Sequence, residues 1–521
     1  MKNGILVLFF AFFSIAIKSQ PSLLYLNKDV NHIYERALIN EGISIHTSIK
    51  PYVLSGLKAH INLDSIHDRR QLAMPKLNRI GYLAQNNNSF FTGVLFDLVP
   101  GTDLLTNQNI METAIGGIVN ATFGQKVSVS FMYLSGNSSF PQYLDTIIQQ
   151  HEVVPGYGYG HKTSSGHSYD ELQGYISYAP FSFFNVQVGK GKNFLGDGHR
   201  SLLLSDYPAS YPYVRLSTEL WRFRYVNLYT QFNDAHGFNG ISSSYVKKYG
   251  AFHYLSWNAT KWLNVNLFEG IIWRATDSSG VRGYDINYLN PIVFYRPVEY
   301  SQGSPDNALM GVGFKIKPFR NQEIYGQLIL DELLFSELIS GKGWWGNKQG
   351  IQVGVKSYNF FGVNGLALQT EYNVVRPYTY SHGISLQNYS HYNQALAHPL
   401  GANFFESISL LRYQKNRFIS TCRFHYIEQG LDTNGSNWGA DIFMDYLTPK
   451  PRVYGNVVGQ GVKSETILLG LNIAFVLIPS VNLIAETSLI YRSSIINKER
   501  EDNCIVSIGL RTAIGNKYYD F

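Results

Sequence analysis

The stretch most suggestive of chemistry runs from Gly189 to Arg200 and reads GKGKNFLGDGHR. Glycines beside lysines can hold a phosphate where a strand leads into a helix. The glycine spacing fits neither the dinucleotide-binding pattern nor the P-loop pattern, and no β-α-β unit surrounds it. We therefore expect an ordered loop in which glycine allows tight turns.

Other candidates for catalysis are equally weak. Ser244-Tyr245-Val246-Lys247 matches a serine acylase pattern, but its companion motifs are missing. The 14 histidines include no zinc-protease helix pattern, and no acidic loop has calcium-ligand spacing. His391 and His398 share one loop, where we expect them to form hydrogen bonds. The sequence predicts a non-enzymatic protein without a cofactor or a metal site.

Several loops place flat aromatic rings beside Arg, Asn and His. Sugars bind to such rings, with polar side chains around them that form hydrogen bonds. The same composition also builds ordered loops, so both interpretations stay open. The candidate sugar-binding residues are Arg200, Tyr295, Arg296, Tyr300, Trp344, Trp345, Arg376, Tyr378, Tyr380, His391 and His398.

These loops connect segments in which apolar and polar residues alternate with period two. Each segment has about ten residues, which is the length of a tilted membrane strand. We count about eighteen, and therefore predict an all-β chain that forms a transmembrane antiparallel β-barrel. The segments start near Phe91, Thr113, Lys126, Gly174, Phe184, Tyr211, Arg222, Tyr249, Lys261, Ala308, Gln322, Gly350, Asn364, Phe404, Arg417, Glu465, Val481 and Asn503.

Short polar turns and long loops rich in Gly, Tyr, Asn and Ser alternate between the strands. A barrel with one end in the periplasm and the other outside explains this alternation. Trp221, Trp257 and Trp262 then lie beside periplasmic turns, and Trp273 lies near the outer rim, as expected of membrane-interface tryptophans. The long loops are Ser135 to Asp170, Gly191 to Tyr211, Ala275 to Asn307, Arg376 to Asn403 and Gln429 to Lys463.

Composition agrees with this class. The 521 residues are 15% aromatic and only 15% charged, with a mean hydropathy of -0.11, which argues against a bundle of transmembrane helices. The net charge of +6 is spread along the chain without a basic run, so we expect no nucleic-acid partner. Cys422 should face lipid, and a disulfide with Cys504 is disfavoured.

The predicted organisation has three parts. Residues 1–19 resemble a signal peptide, with an apolar run from Ile5 to Ile17, so we expect export to the outer membrane. Residues 20–88 form a partly helical periplasmic segment, with helices predicted at Leu26 to Leu38 and around Ser65 to Leu77. Residues 89–521 form the barrel, whose last amphipathic strand ends the chain with an aromatic residue, Phe521.

Two details of the strands have consequences for the wall and the interior. Alternation slips phase within Arg222 to Phe232, which suggests a bulge or a wrong boundary. Charges of both signs share the interior face, and they predict a wet or plugged lumen. The interior charged residues are Lys315, Lys317, Lys356, Glu371, Arg423, Glu486 and Arg511.

Three loop stretches resemble the capsule-assembly Wzi-type outer-membrane family, in its Bacteroidetes branch, which includes a gliding-motility barrel protein. They are Asn193 to Asp206, Phe294 to Tyr300, and Asn388 to Asn403. The resemblance implies an eighteen-stranded barrel with a small helical segment at its periplasmic end. It also implies a lectin-like role in holding exported polysaccharide at the cell surface.

The first functional hypothesis is therefore a monomeric outer-membrane barrel that binds capsular or other surface polysaccharide through its outer loops. The second is an accessory barrel for gliding motility or protein secretion, whose loops dock a protein partner. The third is a channel for small solutes. Outer-membrane lipid surrounds the barrel in all three.

Overall fold

The computed structural model describes residues 22–40, 42–62, 82–85, 88–235, 245–277, 280–290, 306–433 and 435–521. The predicted signal peptide and the predicted helix around Ser65 to Leu77 lie outside these residues. Within them, eighteen long strands form one closed antiparallel barrel, as predicted. The strands are β1 (Asn88–Asp103), β2 (Gln108–Phe123), β3 (Val127–Ser139), β4 (Gly166–Phe181), β5 (Phe184–Gly191), β6 (Tyr211–Leu220), β7 (Phe223–Asp234), β8 (Val246–Trp257), β9 (Leu263–Arg274), β10 (Asn307–Phe319), β11 (Gln322–Leu330), β12 (Gln349–Tyr358), β13 (Leu366–Val375), β14 (Phe404–Lys415), β15 (Phe418–Leu431), β16 (Val462–Ile478), β17 (Leu483–Ile496) and β18 (Glu499–Thr512).

Smaller elements lie in the connections and near the N-terminus. The helices are α1 (Lys28–Asn40), α2 (Leu54–Lys58), α3 (Gln142–His151) and α4 (Phe335–Ser340). Among the described residues, no helix has the length and apolar character needed to cross a membrane. Short strands and 3-10 turns occur at Ile49–Lys50, Tyr82–Gln85, His161–Thr163, Phe194–Leu195, Thr276–Asp277, Gly280–Val281, Ile286–Leu289, Phe360–Gly362, Ser385–Gln387, Ser390–His391 and Gln394–Ala395.

Each strand pairs with its neighbours in sequence, and β18 closes the barrel against β1, with Ile505 opposite Asp103. The outer face is apolar. On β16, for example, Ile467, Leu469 and Leu471 are exposed while the residues between them face inward. Such a face needs lipid around it, because water would make its exposure costly.

The two ends of the barrel differ, and we call them the long-loop end and the short-turn end. Trp221, Trp257 and Trp262 lie exposed at the short-turn end, as predicted. The expected alternation of connectors has two exceptions, because Leu104 to Asn107 and Asn497 to Lys498 are tight turns at the long-loop end. Both join strands at the closing seam, where β17, β18, β1 and β2 pair as hairpins with continuous register.

Residues 22–40 and 42–62 are inserted into the lumen at the short-turn end. Helix α1 begins and ends close to the predicted helix, and it buries Tyr34 and Leu38 against Tyr52 and Leu57. The Glu35 carboxylate accepts a hydrogen bond from Lys356 Nζ of β12 at 2.9 Å, so the segment is tied to the inner wall. Lys356, predicted to face the interior, therefore pairs with this N-terminal segment rather than with water.

The lumen at the long-loop end has an apolar core. The β5–β6 connection contributes Leu202, Leu203 and Leu204, all fully buried, which pack with Leu396 of the β13–β14 connection. These residues pack on inward-facing side chains such as Phe252. The β5–β6 and β13–β14 connections, which were both predicted as outer loops, therefore fold into the barrel. We call these two connections the plug, because their apolar residues fill the lumen.

The C-terminus also folds inward, which corrects the prediction of a final strand that ends in an aromatic residue. The last strand stops at Thr512, and residues 513–521 turn back into the lumen. Tyr518 is buried, and Phe521 packs against Tyr207 with ring centroids 6.0 Å apart. We call this segment the C-terminal tail.

Strand β7 has continuous register with both neighbours, so the predicted bulge is wrong. Its outward-facing Tyr229 is buried, because the described part of the β9–β10 connection lies against the outside of the wall. Trp273 Nε1 donates to the Gly283 carbonyl at 3.0 Å, and the Tyr229 hydroxyl donates to the Leu289 carbonyl at 2.8 Å. Trp273 is thus fully buried beneath Tyr288. The prediction that it lies at the membrane interface is therefore wrong.

Strands β15 and β18 carry the two cysteines, both of which are free. Cys422 is exposed on the outer face, as predicted, and lies opposite Leu471 of β16. Cys504 lies opposite Tyr491 of β17.

Candidate functional site

The predicted site residues fall into two groups, and the first lies in the lumen around Arg200. The Arg200 guanidinium is fully buried and donates to Glu406 Oε1 and Asp520 Oδ1, each at 3.1 Å. Glu406 projects inward from β14, and Asp520 belongs to the C-terminal tail. The backbone nitrogens of His199 and Arg200 donate to the Glu371 carboxylate of β13 at 2.6 and 3.0 Å. Arg200 therefore joins a loop, the wall and the tail.

His398 completes this cluster from the β13–β14 connection. Its Nε2 lies 2.6 Å from Glu406 Oε2, and both side chains are buried. The Asn373 amide donates to the same Glu406 oxygen at 3.0 Å. Each oxygen of the buried Glu406 carboxylate thus has a partner, which offsets the cost of removing it from water.

Burial and charge act in opposite directions on these groups. Burial alone would lower the pKa of the Arg200 guanidinium, but the Asp520 and Glu406 carboxylates raise it above its usual value. Burial would likewise raise the pKa of Asp520, but Arg200 and His199 hold it well below its usual range. The ion pair is therefore fully charged at neutral pH.

Two more of the predicted site residues, Tyr380 and His391, form contacts within the plug. The Tyr380 hydroxyl donates to the Leu202 carbonyl at 2.7 Å, and its ring stacks on Tyr389 with centroids 5.6 Å apart. His391 Nδ1 accepts a hydrogen bond from the Asn233 backbone nitrogen at 3.0 Å, which confirms its predicted hydrogen-bonding role. Both side chains are buried, so their polar atoms contact the protein itself.

The second group forms a partly exposed aromatic surface at the long-loop end. Trp345 lies 5.8 Å from Trp344, 5.9 Å from Tyr378 and 5.1 Å from Tyr446, measured between ring centroids. The side chain of Arg376 supports this group, because its Nε donates to the Asn347 carbonyl at 2.8 Å. We call Trp344, Trp345, Trp438 and Tyr446, with the cations beside them, the aromatic surface.

Cations lie over three of these rings, and the ammonium nitrogen of Lys348 is 4.0 Å from the Tyr446 ring centroid. The ammonium nitrogen of Lys450 lies 4.1 Å from the Trp345 ring centroid, and the Arg452 guanidinium lies 5.5 Å from that of Trp438. Such contacts are attractive because the face of an aromatic ring is negative. Arg452 is exposed, while Lys450 and Trp438 are half-buried. A ligand that reaches this surface would meet flat apolar faces and hydrogen-bond donors together.

Backbone geometry fixes the loop between the two groups. Tyr378 and Tyr380 adopt φ values of 67° and 72°, which are rare for bulky side chains. The Tyr378 hydroxyl donates to the Asn437 carbonyl at 2.8 Å, and the Tyr378 nitrogen donates to the Gly439 carbonyl at 2.9 Å. The β13–β14 and β15–β16 connections therefore hold each other, and the strain is compensated by these contacts.

Sequence reasoning missed residues of both groups. Trp438, Tyr446, Lys450 and Arg452 lie in the predicted long loop from Gln429 to Lys463, whose aromatic and basic residues could have revealed them. The partners of Arg200 give no such signal, because they come from distant segments of the chain. Tyr295, Arg296 and Tyr300 lie outside the described residues.

Beside an open cavity of about 630 Å³ between residues 45–60 and the wall at the short-turn end, the lumen retains a small cavity of about 140 Å³ between the C-terminal tail, residues 23–26 and the wall. Charged side chains that line it include Asp97, Glu171 and Lys517. This volume holds a few water molecules but not a hydrated solute. The described residues thus combine a filled lumen with an aromatic surface at its long-loop end.

Comparison with known proteins gives likeness of fold. The chain matches no protein-family model and no curated protein sequence. It is similar in structure to Wzi of Escherichia coli, described as an outer-membrane protein involved in group 1 capsule assembly and a carbohydrate-binding β-barrel. The two share 12% identity with a TM-score of 0.59, over 95% of this chain and 100% of that one.

More distant matches include OprD of Pseudomonas aeruginosa, at 9% identity and a TM-score of 0.43 over 81% of this chain and 94% of that one. OccAB4 of Acinetobacter baumannii matches at 8% identity and a TM-score of 0.44, over 82% and 98% of the two chains.

Proposed function

We propose that this protein is an outer-membrane barrel that binds surface polysaccharide on its long-loop face without catalysing a reaction. Its apolar outer face and strand lengths suit a bilayer about 30 Å thick in the hydrocarbon region. Tryptophans at the short-turn end suit the periplasmic interface. The long-loop end then faces outside, where exported polysaccharide lies.

The observation that carries the polysaccharide proposal is the aromatic surface. Trp344, Trp345 and Tyr446 come from two different connections, yet their rings meet on one partly exposed face. Ring faces pack against the apolar faces of sugars, while neighbouring donors such as Arg452 bind hydroxyl or carboxylate groups. The structural likeness to a protein described as carbohydrate-binding supports testing this ligand class first.

Within the plug, we propose a structural role for the other predicted residues. Arg200, Tyr380 and His398 hold the β5–β6 and β13–β14 connections inside the barrel, and their burial ties them to protein partners. The lectin-like contacts are therefore assigned to Trp344 and Trp345, and Arg376 supports them through its hydrogen bond to the Asn347 carbonyl. A filled lumen supports binding at the barrel surface over passage of solute through it.

Gene deletion with complementation tests this proposal in cells. The deletion strain should shed polysaccharide that wild-type cells retain, and the wild-type gene should restore retention. The Trp345→Ala gene should restore the barrel protein in the outer membrane but should not restore polysaccharide retention. Trp221→Ala is the matched control, since this exposed tryptophan lies at the opposite end. Normal retention in the deletion strain would reject a role in holding polysaccharide.

A second candidate function is docking of a protein partner, as in motility or secretion. Helix α4 exposes Phe335 and Ile339, at 67% and 70% of their surface, beside Tyr454 of the β15–β16 connection. The Tyr454 hydroxyl donates to Glu337 Oε1 at 3.3 Å, so helix α4 lies beside the β15–β16 connection, which carries part of the aromatic surface. Exposed apolar patches of this kind serve protein contacts. Normal polysaccharide with lost surface spreading in the deletion strain would favour this function.

A further inference from the structure

Behind Arg200, two histidines and an aspartate face one another in the lumen. His199 Nε2 and His425 Nδ1 each lie 3.8 Å from Asp520 Oδ2. One ligand atom from each of the three residues lies within 4.8 Å of the others. These distances are too long for direct hydrogen bonds, yet the groups point at a shared centre.

The two imidazole rings lack other partners. Neither nitrogen of His199 nor of His425 has a hydrogen-bond partner among the described residues. His425 is completely buried, and the His199 side chain is about nine-tenths buried. A neutral imidazole needs one donor and one acceptor contact, so four unpartnered ring nitrogens in one interior are unusual.

The rest of the cluster leaves room for positive charge. Four buried carboxylates oppose two cations within the cluster and a third, Arg423, two residues before His425 on β15, which leaves a net charge of about -1. Buried charge of one sign is costly unless it is balanced. The carboxylates are Asp206, Glu371, Glu406 and Asp520, and the cations are Lys28 and Arg200.

We propose that His199, His425 and Asp520 bind a divalent transition-metal ion, with Zn²⁺ as the best-matched ion. Two imidazole nitrogens and one carboxylate oxygen form a ligand set that zinc prefers, with a fourth position for water. Ligand atoms around tetrahedral zinc lie about 3.3 Å apart, so the present spacing must contract by about 0.5 Å or more. Small rotations of the His199 and Asp520 side chains, which lie outside the barrel strands, can supply this movement.

The ion would fasten three elements that are distant in sequence. His199 belongs to the β5–β6 connection, His425 to the wall at β15, and Asp520 to the C-terminal tail. Asp520 keeps its other oxygen on Arg200, which orients the carboxylate towards the centre. The site is separate from the aromatic surface, so this proposal stands or falls independently of polysaccharide binding.

Metal content of the purified full-length barrel tests the proposal. The protein is isolated in detergent through a tag free of histidine, stripped with chelator, exposed to Zn²⁺ and freed of loose metal. We expect one zinc ion per chain, measured by inductively coupled plasma mass spectrometry. His199→Gln and His425→Gln should each weaken binding by at least about 10-fold, because each removes a direct ligand.

His391→Gln is the matched control, because His391 is equally buried in the plug but lies outside the three-ligand group. It should keep one zinc ion per chain. Asp520→Asn removes the charged ligand from the tail and serves if a histidine variant fails to fold, as judged by its mobility on gels with and without heating. No zinc in the folded wild-type protein, or equal zinc in wild type and all three ligand variants, would overturn the proposal.

Discussion

Replacing Arg200 by glutamine should release the C-terminal tail from the lumen. Arg200 is fully buried and bonds Asp520 Oδ1 at 3.1 Å, so its loss leaves the Asp520 carboxylate buried without its cation. Removing one partner of a buried ion pair typically costs about 3–5 kcal/mol. The released state escapes this cost because Asp520 then reaches water. The fraction of molecules with a released tail should therefore rise roughly 150- to 5,000-fold.

Carboxypeptidase digestion measures this release, because the enzyme reaches Phe521 only when the tail leaves the lumen. With fast opening and closing, the cleavage rate follows the released fraction. Lys463→Gln is the control: this lysine is 58% exposed and its ion pairs contribute little. The double variant Arg200→Gln with Asp520→Asn should regain protection, since no unpaired carboxylate remains on the tail. Wild-type protection in Arg200→Gln alone would mean that the Arg200–Asp520 ion pair does not hold the tail in the lumen.

Three further predictions follow from the plug and the wall. In planar bilayers the wild-type barrel should show no steady open pore, and a stable conductance would contradict the filled lumen. Burial lowers the pKa of His199 well below its usual value of about 6.5, so the unfolded chain binds the extra proton. His199 should therefore make metal-free protein lose stability as pH falls below about 6.5, by up to about 1.4 kcal/mol per pH unit, and denaturant unfolding of His199→Gln should show a slope smaller by that amount. Trp273→Ala should cost about 3–5 kcal/mol in the same unfolding assay because the ring is fully buried, whereas Trp221→Ala, 89% exposed, should cost far less.

Strand number and order could be predicted because the membrane imposes period-two alternation on every strand. The prediction failed where the outer face does not meet lipid. On β7, residues beneath the β9–β10 connection are buried on both sides, so the pattern near Tyr229 lost its phase and suggested a bulge. The prediction that Trp273 lies at the membrane interface failed for the same reason, because the β9–β10 connection covers its ring.

The interior was less predictable than the wall. Loops rich in Gly and Tyr were expected outside, but the run Leu202 to Leu204 makes the β5–β6 connection a buried plug. Apolar residues in a loop favour burial, so this signal was present in the sequence. The partners of Arg200 could not be inferred, because Glu406 and Asp520 lie 206 and 320 residues away. Such contacts depend on how three separate segments meet inside the barrel.

The most direct test of the proposed function is the affinity of purified barrel for polysaccharide taken from the surface of the producing cells. Titration of immobilised polysaccharide with wild type, Trp345→Ala and Trp221→Ala compares tryptophans at opposite ends of one molecule. We predict saturable binding by wild type and Trp221→Ala. Trp345→Ala should bind about 30-fold more weakly, the loss of about 2 kcal/mol expected for a central aromatic contact. Equal affinity of all three proteins, or no binding by wild type, would rule out polysaccharide binding through the aromatic surface.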